Sequence, residues 1–293
     1  MLILGFEDYL QPAQALADAL QCEYRSVSLH TFPDGETRVK LPLPLPSDVI
    51  LVRTLHDPNA KLVQLLIAAQ AARDNGAQRV FLVAPYLCYM RQDIAFTPGE
   101  AISQKIIGLL LGDYFDGVIT VDPHLHRIQS LSEAIPKGQA IALTAASLMG
   151  DQIARAQDKP LLVGPDEESA QWVSKVAEPA GLDHVVASKV RHGDRNVVIT
   201  LPEFDYVGRK VLLVDDVISS GHTLMHCAEL LHARGCKEVS AMCTHALLAP
   251  GAEDALKRAG ITSLLSTDSI PHASNRISLA PLLADALKDL NLS

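Results

Sequence analysis

The stretch VLLVDDVISSGHTL, residues 211–224, sets two adjacent carboxylates, Asp215 and Asp216, at the end of an apolar run. Ser219, Ser220, Gly221, His222 and Thr223 follow them. Side chains this small leave backbone N–H groups open, and these groups, the hydroxyls and the positive end of a following helix all favour a phosphate. The aspartates repel phosphate but accept hydrogen bonds from the hydroxyls of a sugar. The pattern suits a sugar 5-phosphate, with carboxylates on the ring and the loop on the phosphate. A capped β-α turn without ligand is the competing reading of so short a motif. The apolar strand before it and the helix after it favour the ligand, because doubly wound sheets bind at such strand ends.

Four other groups have spacings that can do chemistry. Asp122 and His124 end the strand-like DGVITVD, and Asp166 ends KPLLVGPD in the same way. A D-x-H spacing is weak by itself and also fits a turn. A hard cation such as Mg2+ takes carboxylate, phosphate and water oxygens in preference to imidazole, which gives Asp122 and Asp166 the metal role. Lys189 and Arg191 stand two apart in ASKVRHGDRNV, on one face if the segment is extended, where two cations stabilise charge on a transferring group. Taken alone, the pair is better explained as a solvated strand end. Arg91, Gln92 and Asp93 follow a strand exit; the Arg suits a phosphate and the Gln a base or ribose. Phe32, Asp34 and Glu36 alternate on a D-G turn, placed to stack on and hydrogen-bond a base or simply to close a hairpin.

These groups need rigid elements behind them, and the chain alternates strand and helix patterns throughout. RVFLVAPYL (79–87), DGVITVD (116–122), KPLLVGPD (159–166), RKVLLVDD (209–216) and KEVSAMCTHALL (237–248) read as buried strands, and ISQKIIGLLLGDYF (102–115) as a helix. The alternation implies parallel sheets covered by helices on both faces. Asp57 and Pro58 write a helix start that Asn75-Gly76 ends, and LPLPLP (41–46) is too rich in proline for a central strand. Residues 51–87 and 213–248 share strand, polar loop, apolar helix, Gly and second strand, which marks a duplicated α/β unit. The expected domains are 1–145 and 146–293, the last helix packing back on the first. TLHD stands in the first copy where DDVISSGHT stands in the second, so the loop chemistry belongs to the second domain.

Composition narrows the function. At 293 residues, 48% apolar and 20% charged, the chain is an ordinary globular one. Its net charge of −9 excludes a nucleic-acid or anionic-membrane footprint but not a small phosphorylated ligand. The five cysteines form no CxxC pair, which points to a reducing cytoplasm, and no apolar run approaches a membrane span. A Walker A motif is absent, and so is any intact G-x-G-x-x-G after a strand.

The loop at 215–223 resembles the phosphoribosyl-binding loop of type I phosphoribosyltransferases and of ribose-phosphate pyrophosphokinases. Other segments single out the second family: TFPDGETRVKLP (31–42) is similar to its F-S-D-G-E segment, PYLCYMRQDIAFTPGEAISQK (85–105) to P-Y-x-x-Y-x-R-Q-D, and VDPHLHRIQ (121–129) to D-L-H-x-x-Q-I-Q. GPDEESAQWV (164–173) resembles its metal segment, ASKVRHGDRNV the K-R-R root of its catalytic loop, and TDSIPH (267–272) a segment near its C-terminus. P-G-E-A-I-S is similar to the archaeal branch.

The resemblance implies an α/β fold of two similar type I phosphoribosyltransferase-like domains, each a mostly parallel sheet flanked by helices. It implies transfer of the pyrophosphoryl group of ATP to O1 of D-ribose 5-phosphate, giving 5-phosphoribosyl 1-pyrophosphate and AMP with Mg2+. Lys189, Arg191 and His124 would act in catalysis. Phe32, Asp34, Glu36, Arg91, Gln92, Asp93 and His124 would bind ATP; Asp215, Asp216 and Ser219 to Thr223 would bind ribose 5-phosphate; Asp122, His124 and Asp166 would position metal. The F-P-D-G-E turn would reach into a neighbouring subunit, which implies a homo-oligomer with its ATP site at an interface. A regulatory homologue without activity, or a type I phosphoribosyltransferase, are the alternatives. Three positions depart from the pattern: Val190 replaces the middle Arg of K-R-R, His222 stands at a usual Gly, and Glu167-Glu168 replace small residues beside a phosphate site.

Overall fold

The computed structural model describes residues 1–125, 127–155, 159–192 and 196–292, and the side chains of 190–192 and 196–198 fall outside the description. The described residues form two compact units, Met1–Leu143 with Ser278–Ser293, and Thr144–Ile277.

Unit 1 contains, in chain order, β1 (Leu2–Gly5), α1 (Leu10–Leu20), β2 (Glu23–Ser26), β3 (Ser28–Thr31), β4 (Thr37–Lys40), β5 (Asp48–Val52), α2 (Pro58–Asp74), β6 (Arg79–Val83), α3 (Ser103–Tyr114), β7 (Gly117–Val121), α4 (Leu131–Ala134) and β8 (Gln139–Leu143). Its sheet runs β2-β1-β5-β6-β7-β8, all parallel, with β3 and β4 as a separate antiparallel pair. Strands such as DVILV and GVITV are buried at every residue, the state expected of parallel strands covered on both faces. Leu4, Leu51, Leu65, Leu82 and Leu111 belong to the core on one face of that sheet.

Unit 2 contains α5 (Ala146–Ala154), β9 (Leu161–Gly164), α6 (Ala170–Ala180), β10 (His184–Val186), β11 (Ser188–His192), β12 (Asn196–Thr200), β13 (Lys210–Ile218), α7 (His222–Ala233), β14 (Glu238–Ala246), α8 (Ala252–Arg258), β15 (Ile261–Thr267) and β16 (Asn275–Ile277). Its sheet runs β10-β9-β13-β14-β15-β16, again parallel, with β11 and β12 standing apart as an antiparallel pair. The two units thus share one strand order and one accessory hairpin in the same place. The similarity of 51–87 and 213–248 is the β5-α2-β6 and β13-α7-β14 portion of this repeat.

The second unit ends at Ile277 instead of running to the C-terminus. The last helix, α9 (Ala280–Lys288), buries Leu283, Ala284 and Leu287 and packs on α1 of unit 1. At the start of α2, Pro58 holds the first position, but Asp57 has a left-handed backbone and its side chain caps nothing.

Candidate active site

The paired aspartates do not end their strand. β13 continues through them to Ile218, with Asp215 opposite Cys243, Val217 opposite His245 and Ile218 opposite Ala246. Val217 and Ile218 are β-branched and buried, and β14 is long enough to pair with them. The loop is therefore only Ser219 to Gly221, and His222 and Thr223 open α7.

Gly221 takes the left-handed backbone that this tight turn demands, at φ 74°, and a Cβ there would stand 2.9 Å from Leu256 Cδ2. With Gly221 absorbing the strain, His222 is helical and a side chain costs nothing in backbone conformation. Its Nδ1 lies 3.0 Å from Ser220 Oγ, which ties the imidazole to the loop.

Lys189 of β11 joins three segments. Its Nζ donates to Asp166 Oδ2 at 3.0 Å and to Thr223 Oγ1 at 3.1 Å, and its backbone N–H donates to both carboxylate oxygens of Glu167 at 3.1 and 3.2 Å. Glu167, one of the two acids that replace small residues beside the phosphate site, anchors the root of the accessory hairpin. Asp166 also caps the 3-10 turn Glu167–Ser169 through Oδ1. Each of its oxygens keeps a second lone pair, so Asp166 can still give one oxygen to a hard cation. The side chain of Arg191 lies outside the described residues, as does His126.

Burial, then the neighbouring Asp216 and Asp166 carboxylates, push the Asp215 carboxyl well above its usual range. A hydrogen-bond donor or a cation placed beside this carboxyl would offset that cost. Because the folded pKa lies above the unfolded one, ionised Asp215 destabilises the unliganded fold. That penalty is full above the folded pKa, shrinks as pH falls through it and is gone below the unfolded value. Asp215→Asn keeps the Oδ1 that accepts the Asp216 N–H at 2.9 Å while removing the charge. It should raise the Tm of the unliganded protein at neutral pH and weaken ribose 5-phosphate about tenfold, the scale of one charge-assisted hydrogen bond. Calorimetry beside a KM measurement checks both signs.

In unit 1 the expected nucleotide and metal residues stand at three places. Arg91, Gln92 and Asp93 lie on the loop leaving β6, and Asp122 and His124 on the loop leaving β7. Asp57, Tyr89 and Asp122, three of the five described non-glycine residues with positive φ, follow the carboxyl ends of β5, β6 and β7. Backbone strain of this kind gathers at functional edges. Arg91 is exposed, Gln92 Nε2 donates to the Ile94 carbonyl at 3.1 Å, and Asp93 is buried against Arg127. Phe32, Asp34 and Glu36 are exposed on the turn between β3 and β4, which closes through Phe32 N–H to Glu36 O at 2.8 Å and Glu36 N–H to Asp34 Oδ1 at 3.1 Å. Described contacts do not join this turn to the β6 and β7 loops.

The position of the paired aspartates is filled differently in unit 1. Aligning Leu51-Val52 with Leu213-Val214 sets Arg53-Thr54 there. Arg53 Nε donates to Asp8 at 3.1 and 3.2 Å and its Nη1 to Gln64 Oε1 at 2.6 Å, while Lys61 of α2 curls back to Asp8 at 3.1 Å and to the Thr54 carbonyl at 3.2 Å. A loop that gives its carbonyl to an ammonium is not arranged for phosphate.

Burial pushes the Cys88 and Cys227 thiols up to about 12, which leaves them unreactive at neutral pH. Among the described residues no three His, Cys, Asp or Glu side chains form a metal cluster, and no helix is long and apolar enough to cross a membrane.

Residues 1–113 match the model of the N-terminal domain of ribose phosphate pyrophosphokinase, and residues 132–280 the phosphoribosyl transferase domain. The ribose-phosphate pyrophosphokinases of Methanopyrus kandleri and Methanosarcina acetivorans are each 34% identical, covering 99% of this chain and 100% of their own length. Among solved structures, phosphoribosylpyrophosphate synthetase from Mycobacterium smegmatis superposes with a TM-score of 0.84 over 99% of this chain and 98% of that one, at 23% identity, and so shares the fold. Two full-length matches at this identity, with both domain models in order along one chain, make this protein a member of the ribose-phosphate pyrophosphokinase family.

Proposed function

We propose that the protein transfers the pyrophosphoryl group of ATP to O1 of D-ribose 5-phosphate, giving 5-phosphoribosyl 1-pyrophosphate and AMP. The observation that carries this reading is the convergence in unit 2, where Lys189 Nζ bridges Asp166 and Thr223, in the same unit as the half-buried Asp215, the buried Asp216 and a three-residue loop. A sugar phosphate has its hydroxyls at Asp215 and Asp216 and its 5-phosphate at Ser219 to Thr223. The anomeric oxygen attacks Pβ in line, the Pα–O–Pβ bond breaks, and AMP leaves with the bridging electron pair. Lys189 and Arg191 offset charge on the transferring group, and Arg91, Gln92 and His124 hold the nucleotide. Such a reaction asks for alignment and charge more than covalent chemistry from the protein.

Mg2+ fits the donor set, since it binds through one or two carboxylates with substrate phosphates and water and needs no all-protein cage. Asp166 in unit 2, and Asp122 with His124 in unit 1, the last directly or through water, are the residues that would hold Mg2+ ions, which when bound would neutralise phosphate charge. The exposed hairpin tip with Phe32, Asp34 and Glu36 supports donation of a base-stacking ring to a neighbouring copy in a homo-oligomer. Five free cysteines suit a cytoplasmic location.

Purified protein with Mg-ATP should release AMP only when ribose 5-phosphate is present. Binding of both without turnover would instead identify a regulatory homologue. Base-dependent release of pyrophosphate from 5-phosphoribosyl 1-pyrophosphate would identify a phosphoribosyltransferase.

A further inference from the structure

The carboxyl edge of the unit 1 sheet carries an ion pair that the proposed mechanism leaves unused. Arg127, on the loop leaving β7, donates from Nη1 to Oδ1 of Asp93 on the loop leaving β6 at 2.6 Å. The partners are unequal: the Asp93 side chain is 1% exposed and that of Arg127 is 49% exposed. The carboxylate is therefore the fixed end, and the guanidinium reaches outward from it. The exposed Phe96 ring lies 5.9 Å from the guanidinium carbon, on a turn that Glu100 closes by accepting the Phe96 N–H and the Thr97 hydroxyl.

A second observation sets this pair apart from the other arginine–carboxylate pairs of unit 1. Asp93 Oδ2 is buried without a hydrogen-bond partner, the only carboxylate oxygen of that kind among the described residues. Burying a charged acceptor and leaving half of it unused is costly, and a carboxylate kept for stability alone would be paired at both oxygens. Arg53 shows the contrast: its side chain is 5% exposed, and both oxygens of its partner Asp8 are engaged. Arg53 is internal scaffolding, whereas Arg127 is a cation presented at the strand ends where parallel sheets take ligands.

We infer that Arg127 is a further binding residue for the donor nucleotide, its guanidinium taking oxygens of the phosphate chain, and that Asp93 is the positioning residue that aims it. The inference rests on the nucleotide-binding role proposed for this edge. A planar fork held at one nitrogen keeps its remaining donors for phosphate oxygens, and less side-chain freedom is lost on binding because the fork is already ordered.

The test measures equilibrium binding of Mg-AMP-PNP and steady-state kinetics on full-length variants. Arg127→Ala should raise both the Kd for AMP-PNP and the KM for Mg-ATP roughly tenfold or more, the scale of a lost charge-assisted bond, with the KM for ribose 5-phosphate nearly unchanged. Arg127→Lys should recover part of the loss. Asp93→Asn decides between positioning and neutralisation: removing a negative charge would tighten binding if Asp93 merely cancelled Arg127, whereas reducing the charge-assisted anchor to a neutral hydrogen bond loosens the aim of the guanidinium and weakens binding several-fold. AMP-PNP affinity of Arg127→Ala equal to wild type overturns the inference, and tighter binding by Asp93→Asn overturns the positioning role. A wild-type chain that binds AMP-PNP but makes no product sinks the proposed function and leaves Arg127 to be judged on binding. A wild-type chain with no affinity for AMP-PNP overturns the inference as well.

Discussion

Lys189→Ala should lower kcat by roughly 10²–10³-fold, the usual loss when a preorganised electrostatic donor is removed, and leave the KM for ribose 5-phosphate within a few-fold. The geometry argues for this split. Lys189 Nζ sits between Asp166 and Thr223, while its backbone is held independently by Glu167. Truncation therefore removes the ammonium without releasing the strand that carries it. Thr223 keeps its hydroxyl and Gly221 its turn, so the phosphate seat survives. Val190 occupies the middle of the K-R-R pattern, leaving fewer cations to compensate and pushing the expected loss toward the upper end. Single-turnover AMP release beside a sugar-binding isotherm separates the two quantities. Near-normal turnover would remove Lys189 from the mechanism.

The largest effect on stability is expected from Gly108→Ala. Gly108 faces the backbone of Ala134, and a Cβ at that position would lie 1.9 Å from the Ala134 carbonyl oxygen and 2.7 Å from its carbon. A flexible side chain could move aside, but this carbonyl belongs to the end of α4, so α3 itself has to shift. Alanine gains up to about 1 kcal/mol of helix propensity over glycine. Overpacking against fixed backbone costs about 3 kcal/mol or more, which wins. At roughly 2–4 °C per kcal/mol for a unit of this size, Tm should fall by several degrees. An unchanged or higher Tm would show that α3 and α4 separate freely. The same substitution at Gly76 (φ 102°), where a Cβ would meet nothing within 4 Å, serves as a control for backbone strain without a clash.

Much of this was legible in the chain before any coordinates. Buried parallel strands announce themselves as unbroken apolar runs, and the duplication showed because 51–87 and 213–248 repeat the same succession of elements. Strand ends were less legible: nothing in VLLVDDVI separates a strand that stops at Asp215 from one that carries two aspartates on to Ile218. Only pairing with β14 decides it. Glu167 read as unwanted charge because its partner is a backbone N–H, which no residue pattern reports. Arg127 was missed for a related reason, since its partner lies 34 positions away on another loop. The apolar face of α9 could be read from its spacing, but its neighbour α1, more than two hundred residues earlier, could not.

The curled-back Lys61 bears on the history of the repeat. In unit 1 its ammonium fills the loop against the Thr54 carbonyl, and Asp8 holds it there together with Arg53. Restoring two aspartates at 53 and 54 would leave that ammonium in place, and removing Lys61 alone would leave Asp8 facing only Arg53. No single substitution leads back to a phosphate-accepting loop. The first copy differs from the second by several mutually dependent changes, so its specialisation works as a ratchet that no one substitution reverses.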